Sequence, residues 1–240
     1  MMLAAARRIV LMAVFIFGAQ VFAAQGGQGG WSLGAFLGLV NSSQDQMNEV
    51  IKRANTGANG PVSTNQMNSA YELAPFLQYR YSGTMFAVQF RPSYFYQKED
   101  GHGSNGSYGM SVTGFTLFPM LRLYPLESDI MKFYMQIGLG YGRVNGEINE
   151  GAGNSVKFAS GAFGTVVGMG AEFCFNPSHC LNLEGDYRYL QFERNLVSTS
   201  TGTLPDLTNT TKGQEVEMDG SDLSVRMGGL MFMAGYTMNF

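Results

Sequence analysis

The chain has 240 residues, 15 basic and 18 acidic side chains and a formal net charge of −3. Charged residues make up only 14%, while 45% of the chain is hydrophobic, 13% is aromatic and Gly occurs 32 times. This balance excludes a nucleic-acid binder, which needs a basic excess. It argues against an ordinary cytosolic enzyme, and it is too rich in aromatic and aliphatic residues for a disordered chain.

Arg7 and Arg8 precede an apolar run from Ile9 to Phe17, and Val21-Phe22-Ala23 offers compact residues before a cleavage site at Ala24. That is the layout of a secretory signal over residues 1–23, leaving 24–240 as one exported domain. The alternative is an uncleaved anchor, for which the apolar run is short.

From there the chain alternates apolar and polar residues with period two, the pattern of strands. Eight segments carry it. Trp31 to Val40 sets Trp31, Leu33, Leu37 and Leu39 on one face, and Ala70 to Tyr81 opposes Tyr71, Leu73 and Leu77 to Glu72, Gln78 and Arg80. Met85 to Gln97, Tyr108 to Tyr124 and Met131 to Arg143 follow, then Lys157 to Phe175, Cys180 to Phe192 and Leu223 to Phe240.

The connections alternate in length. Long ones, at Asn41 to Ser69, Lys98 to Ser107, Val144 to Val156 and Glu193 to Asp222, are separated by short ones at Ser82-Gly83-Thr84, Pro125 to Ile130 and Asn176 to His179. This predicts an all-β, up-and-down antiparallel barrel of eight membrane-spanning strands, with short periplasmic turns, longer external loops and both termini periplasmic. In hydrocarbon every backbone donor and acceptor must be paired internally, so strands cross only as a closed barrel. A soluble β-sandwich would also bury an aromatic face, but it gives no reason for the loop asymmetry. Gln44 to Ala54 fits a short helix over the barrel mouth, and Ser198 to Lys212 reads as an exposed, mobile loop.

The C-terminal run Phe232-Met233-Ala234-Gly235-Tyr236-Thr237-Met238-Asn239-Phe240 resembles the assembly signal of bacterial outer-membrane barrels, with Phe232, Tyr236, Met238 and Phe240 at alternate positions. Together with Phe118 to Leu126, Gln136 to Tyr141 and Leu183 to Tyr189, it makes residues 30–240 similar to small eight-stranded barrels of the OmpA/OmpX and opacity-protein type. The resemblance implies residence in the outer membrane among its lipid and lipopolysaccharide, and the barrel assembly machinery as a partner in biogenesis. It also implies a non-enzymatic role in envelope integrity and surface recognition or adhesion, with an unidentified ligand on the external loops. It implies no cofactor.

Nine charges have inward parity: Glu72, Arg80, Arg91, Arg122, Lys132, Glu172, Glu184, Asp186 and Arg188. An eight-stranded barrel is just wide enough for side chains to fill, and unpaired buried charges are costly. These residues therefore read as a packed polar plug, with a narrow ion path, hence a small channel, or an acid–base pair as alternatives. Cys174 and Cys180 flank a short turn on inward parity, where a cross-strand disulfide is geometrically open and an exported chain meets an oxidising compartment. Two free thiols are the alternative. His179 adjoins Cys180, but no further ligand points to a metal.

His102-Gly103-Ser104-Asn105 looks like the His-x-Ser-Asn motif of outer-membrane lipid A deacylases, in which the His activates the Ser for attack on an ester. The acid that the family places some fourteen residues on is Thr116 here, and a Gly/Ser/Asn-rich loop needs no catalytic explanation. Lys98, Arg143, Lys157 and Arg226 share lipid-facing parity just beyond the apolar band. They read as a partial lipopolysaccharide-docking belt, since cations pair well with phosphates, or as solvated rim charges.

Overall fold

The computed structural model describes residues 29–56, 63–103, 106–151, 153–204 and 207–240. The signal segment expected over residues 1–23 lies outside them, as does Ser104. Seven long strands run in chain order: β1 (Gly30–Asn41), β2 (Ser69–Arg80), β3 (Phe86–Gly103), β4 (Gly106–Glu127), β5 (Met131–Glu150), β6 (Asn154–Asn176) and β7 (His179–Tyr189). Short pieces follow: β8 (Gln191–Phe192), β9 (Leu196–Thr201), β10 (Glu217–Met218), β11 (Ser221–Asp222) and β12 (Val225–Arg226). The last strand is β13 (Gly229–Asn239), and the helix α1 (Asp45–Thr56) lies between β1 and β2.

Each long strand pairs antiparallel with the next, and β13 joins β7 to β1 through registers such as Ser32↔Asn239 and Asn41↔Leu230. The ring of β1 to β7 and β13 is thus closed, leaving no edge in the membrane. The first strand starts and the last strand ends at the end with the short turns, the periplasmic end by the loop-length rule.

The outward face explains why the sequence alternates. On β5 it runs from Met131 through Met135, Ile137 and Leu139 to Tyr141, all exposed, which is the ~9–11 residues a tilted strand needs to cross the bilayer. Tyr71, Tyr94, Tyr96, Tyr141, Tyr187 and Tyr189 crowd the upper border of this band, and Trp31, Tyr81, Phe86, Phe175 and Tyr236 the lower. Amphipathic rings favour the headgroup level. These two girdles are the marks of a membrane-spanning barrel.

Four strands overrun the band. The segments expected as loops at Lys98 to Ser107 and Val144 to Val156 instead extend β3 to β6, with continuous pairing from Gln97↔Val112 to Gly103↔Gly106 and from Val144↔Ser160 to Glu150↔Asn154. Alternation persists here because the inner face still meets an apolar partner. That partner is a cap built from α1 and the segment between β7 and β13. Met47 and Val50 of α1 join Val112, Ile148, Val156 and Phe158 of the wall, and Leu204, Leu207, Val216, Leu223 and Met227 of the cap, in one buried cluster. The segment expected to be exposed and mobile from Ser198 to Lys212 therefore contributes β9, which pairs with β6, and two buried leucines.

Polar clamps seat the helix. Gln44 Nε2 donates to Gln97 Oε1 at 2.9 Å and to the Arg226 carbonyl at 2.5 Å, and Arg226 N donates back to Gln44 Oε1 at 2.9 Å. Asp45 opens the helix and Arg53 closes it, each on the side its charge favours against the helix dipole. The last strand starts at Gly229 rather than Leu223. Gly229 has φ +133°, and a Cβ there would lie 2.0 Å from the Asn41 carbonyl oxygen, so the chain turns from cap to barrel at a position only glycine fits.

Candidate functional site

The inward parity of the barrel brings seven of the nine expected charges together and buries them: Glu72, Arg91, Arg122, Glu172, Glu184, Asp186 and Arg188. Arg91 spans Glu184 and Asp186, donating to Asp186 Oδ2 at 2.9 Å. Arg122, fully buried, donates from Nε to Gln136 Oε1 at 2.8 Å, from Nη1 to Gln78 Oε1 at 3.1 Å and from Nη2 to Glu184 Oε2 at 2.7 Å. Its guanidinium also stacks 4.1 Å from the Tyr134 ring centroid. Tyr134 and Tyr124 donate at 2.8 Å to Glu184 and Glu172 respectively. Higher in the lumen, Arg188 clasps Glu72 with two bonds of 2.8 and 2.6 Å and reaches the cap through the Met227 carbonyl at 2.6 Å.

Arg80 and Lys132 do not belong to this network. Both pair with Glu127 at the periplasmic rim, Arg80 through bonds of 2.6 and 2.5 Å and Lys132 at 3.6 Å. Their strand positions lie where the lumen opens to water, and their side chains stay 23% and 22% exposed. Tyr124, Tyr134, Gln78 and Gln136 complete the network. The two tyrosines were readable by the same parity, each flanked by outward apolar residues.

Cys174 and Cys180 form the disulfide, with Cα atoms 3.9 Å apart on directly paired positions of β6 and β7. Their Sγ atoms and a Glu172 oxygen lie within 4.8 Å of one another, so the one cluster of metal-ligand type found among the described residues is occupied by the bridge itself. Of the C-terminal residues, Phe232 and Tyr236 face lipid. Met238 keeps the same register, paired with Leu33 and His179, but is only 8% exposed. The Phe240 N–H donates to the Trp31 carbonyl at 2.9 Å.

The outward cations sit in two places. Lys98 and Lys157 lie on one row of paired residues, Lys98↔Ser111↔Glu147↔Lys157, and Arg143 lies on the same wall four residues lower along β5, opposite Phe115 and Gly161. Arg226 is on the cap, paired with Asp45 at 3.2 Å. Lys98 donates to Asp100 at 2.5 Å, which holds its ammonium above the ordinary lysine range, and Lys157 meets Glu147 at 3.1 Å. His102 is exposed at the tip of β3, its backbone bridged to Ser63. Thr116 faces the lumen, 2.6 Å from Ser93 Oγ.

No protein-family model matches the sequence, and no curated protein matches it significantly. Solved structures share its fold. The outer membrane protein OprG from Pseudomonas aeruginosa is 11% identical over 90% of this chain and 98% of its own, with a TM-score of 0.52. A major outer membrane protein from Thermus thermophilus is 13% identical over 88% of this chain and 99% of its own, with a TM-score of 0.54. The chain thus has the eight-stranded barrel fold found in outer-membrane proteins.

Proposed function

We propose that this protein is a sealed, non-enzymatic outer-membrane barrel whose task is recognition at the cell surface, with a supporting part in envelope integrity. The observation that carries this reading is the filling of the interior at every level. The cap's apolar cluster occupies the external end, the paired charges occupy the membrane level, and the Glu127 pairs stand at the rim. Interdigitated ion pairs suit a plug better than a conduit, since moving any one of them leaves a partner charge uncompensated.

The elaborated part of the molecule is external: four overlong strands and a packed cap, held on a rigid scaffold as recognition surfaces commonly are. Lys98, Lys157 and Arg143 on that wall stand just above the tyrosine girdle, the height of lipopolysaccharide phosphates, and form the docking belt in this reading. Arg226 belongs to the cap rather than the belt. Protein reconstituted into planar bilayers tests the sealed state: a flat baseline is expected, and reproducible conductance steps would refute it. Lipid A incubated with the protein is expected to keep all its acyl chains; loss of a chain would make the protein an esterase.

A further inference from the structure

Two residues above the belt, the outer face of the wall changes character. The next row across β3 to β6 reads Asp100↔Gly109↔Asn149↔Ser155. Gly109 contributes no side chain, so the row is notched at its second position, and a depression of about 440 Å³ opens there, reaching up to His102 and Ser107. A Cβ at Gly109 would lie 3.0 Å from Asp100 Oδ1 and 4.0 Å from Asn149 Nδ2, so a carboxylate oxygen and an amide nitrogen converge over the notch.

The row beneath fixes both groups. Lys98 takes Asp100 Oδ2 at 2.5 Å and leaves Oδ1 turned to the notch. Asn149 Nδ2 donates one hydrogen to Glu147 Oε1 at 3.3 Å, and Glu147 is itself held by Lys157 at 3.1 Å. The second amide hydrogen remains for a ligand. A fixed acceptor beside a fixed donor, on a floor of bare backbone, matches two neighbouring hydroxyls of a sugar ring, one donating and one accepting. A divalent cation fits poorly, because the one carboxylate among the described residues that line the depression is already paired with an ammonium and the converging amide atom is a donor.

Resting on the surface-recognition reading above, we propose that this depression is a saccharide site that takes a vicinal diol between Asp100 and Asn149 over Gly109. The row stands four residues above Tyr96 on β3 and eight above Tyr141 on β5, roughly 13 to 26 Å along the strand at about 3.3 Å of rise per residue. At that height the sugars at hand are the core oligosaccharide of lipopolysaccharide around the barrel, and soluble glycans arriving from outside.

The test is calorimetric titration of the folded, detergent-solubilised full chain with two probes, core oligosaccharide released from lipopolysaccharide by mild acid and a simple methyl hexoside. Gly109→Val fills the notch with a residue suited to strands, and Asp100→Asn removes the acceptor charge. Heat-modifiable electrophoretic mobility checks that each variant folds. Millimolar or tighter binding by the wild type, weakened at least tenfold in both variants, is the expected result. Binding of the core oligosaccharide alone identifies lipopolysaccharide as the source, and equal binding of both probes identifies soluble glycans. The site is overturned if neither probe binds the wild type, if Gly109→Val binds as well as the wild type, or if calcium alone binds and is lost in Asp100→Asn. Its failure leaves the bilayer baseline untouched, whereas conductance steps would sink the sealed-scaffold reading without altering the titration.

Discussion

Replacing Arg122 by Met is the sharpest probe of the lumen. The buried network holds four carboxyl groups, Glu72, Glu172, Glu184 and Asp186, against three guanidinium groups, Arg91, Arg122 and Arg188. Removing Arg122 withdraws donors from Gln136, Gln78 and Glu184 at 2.8, 3.1 and 2.7 Å and leaves Glu172 with only tyrosine hydroxyl support at 2.8 Å. Breaking one partner of a buried ion pair costs about 3–5 kcal/mol because a charge is stranded. Met fills a similar volume, so packing loss adds little. The double variant Arg122→Met with Glu184→Gln removes opposite charges together and is expected to recover about 1–3 kcal/mol of that loss through the coupling of the pair. The assay is urea unfolding of protein folded into liposomes, read by Trp31. This is the chain's single tryptophan and stands half exposed in the periplasmic girdle, so its emission reports transfer from lipid to water. A single variant within about 1 kcal/mol of wild type, or a double variant showing no recovery, would refute the account of the lumen as a coupled plug.

Two further outcomes follow from features at the opposite ends of the barrel. The Cys174–Cys180 bridge closes a short loop, a sequence separation of 6, so its chain-entropy contribution is only about 2 kcal/mol; reduction in the same urea assay should lower stability by about that much and leave the barrel folded. At the external end, Arg53 donates to Asp219 with two bonds of 2.8 and 2.5 Å and holds that carboxyl below the ordinary aspartate range. A depressed carboxyl stabilises above its unfolded value and loses that contribution as pH falls through the folded one, so hydrogen-exchange protection of the α1 amides should drop on acidification below the normal aspartate range. Asp219→Asn should show the lower protection already at neutral pH and no drop tied to this group. Equal protection in wild type and Asp219→Asn at neutral pH would mean that the latch holds nothing.

The sequence carried the barrel because lipid imposes one rule on every strand: apolar out, polar or small in. That rule assigned Arg122 and Glu184 to the lumen and Tyr141 to lipid without knowledge of their neighbours. Parity fixes a side chain's face but not its height, which is why Arg80 and Lys132 have inward parity and yet sit at the wet rim with Glu127. It also cannot tell a loop from a strand whose outer face has turned polar, as in β3 beyond Tyr96 and β5 beyond Tyr141. Of the cap, the helix over the mouth was readable from Gln44 to Ala54 and stands at Asp45–Thr56, but its packing was illegible for a different reason. Met47, Leu204, Val216 and Met227 meet from segments far apart in the chain with no shared period, so only the folded arrangement reveals them as one core. The notch at Gly109 depends on which residues fall side by side across four strands, and register is not written in any one of them.

Because β3 to β6 rise about eight residues, roughly 26 Å along the strand, above a girdle at which β1, β2, β7 and β13 finish, the molecule has a tall side and a low side. A neighbour drifting in the membrane plane therefore meets two different shapes. Toward the tall side, it meets the polar outer wall with the Lys98 row and the Gly109 notch. Toward the low side, it comes within reach of the cap itself, over the helix and the Arg226–Asp45 pair. The barrel has no rotational symmetry to offer its surroundings, so what a neighbour touches depends on the side from which it approaches.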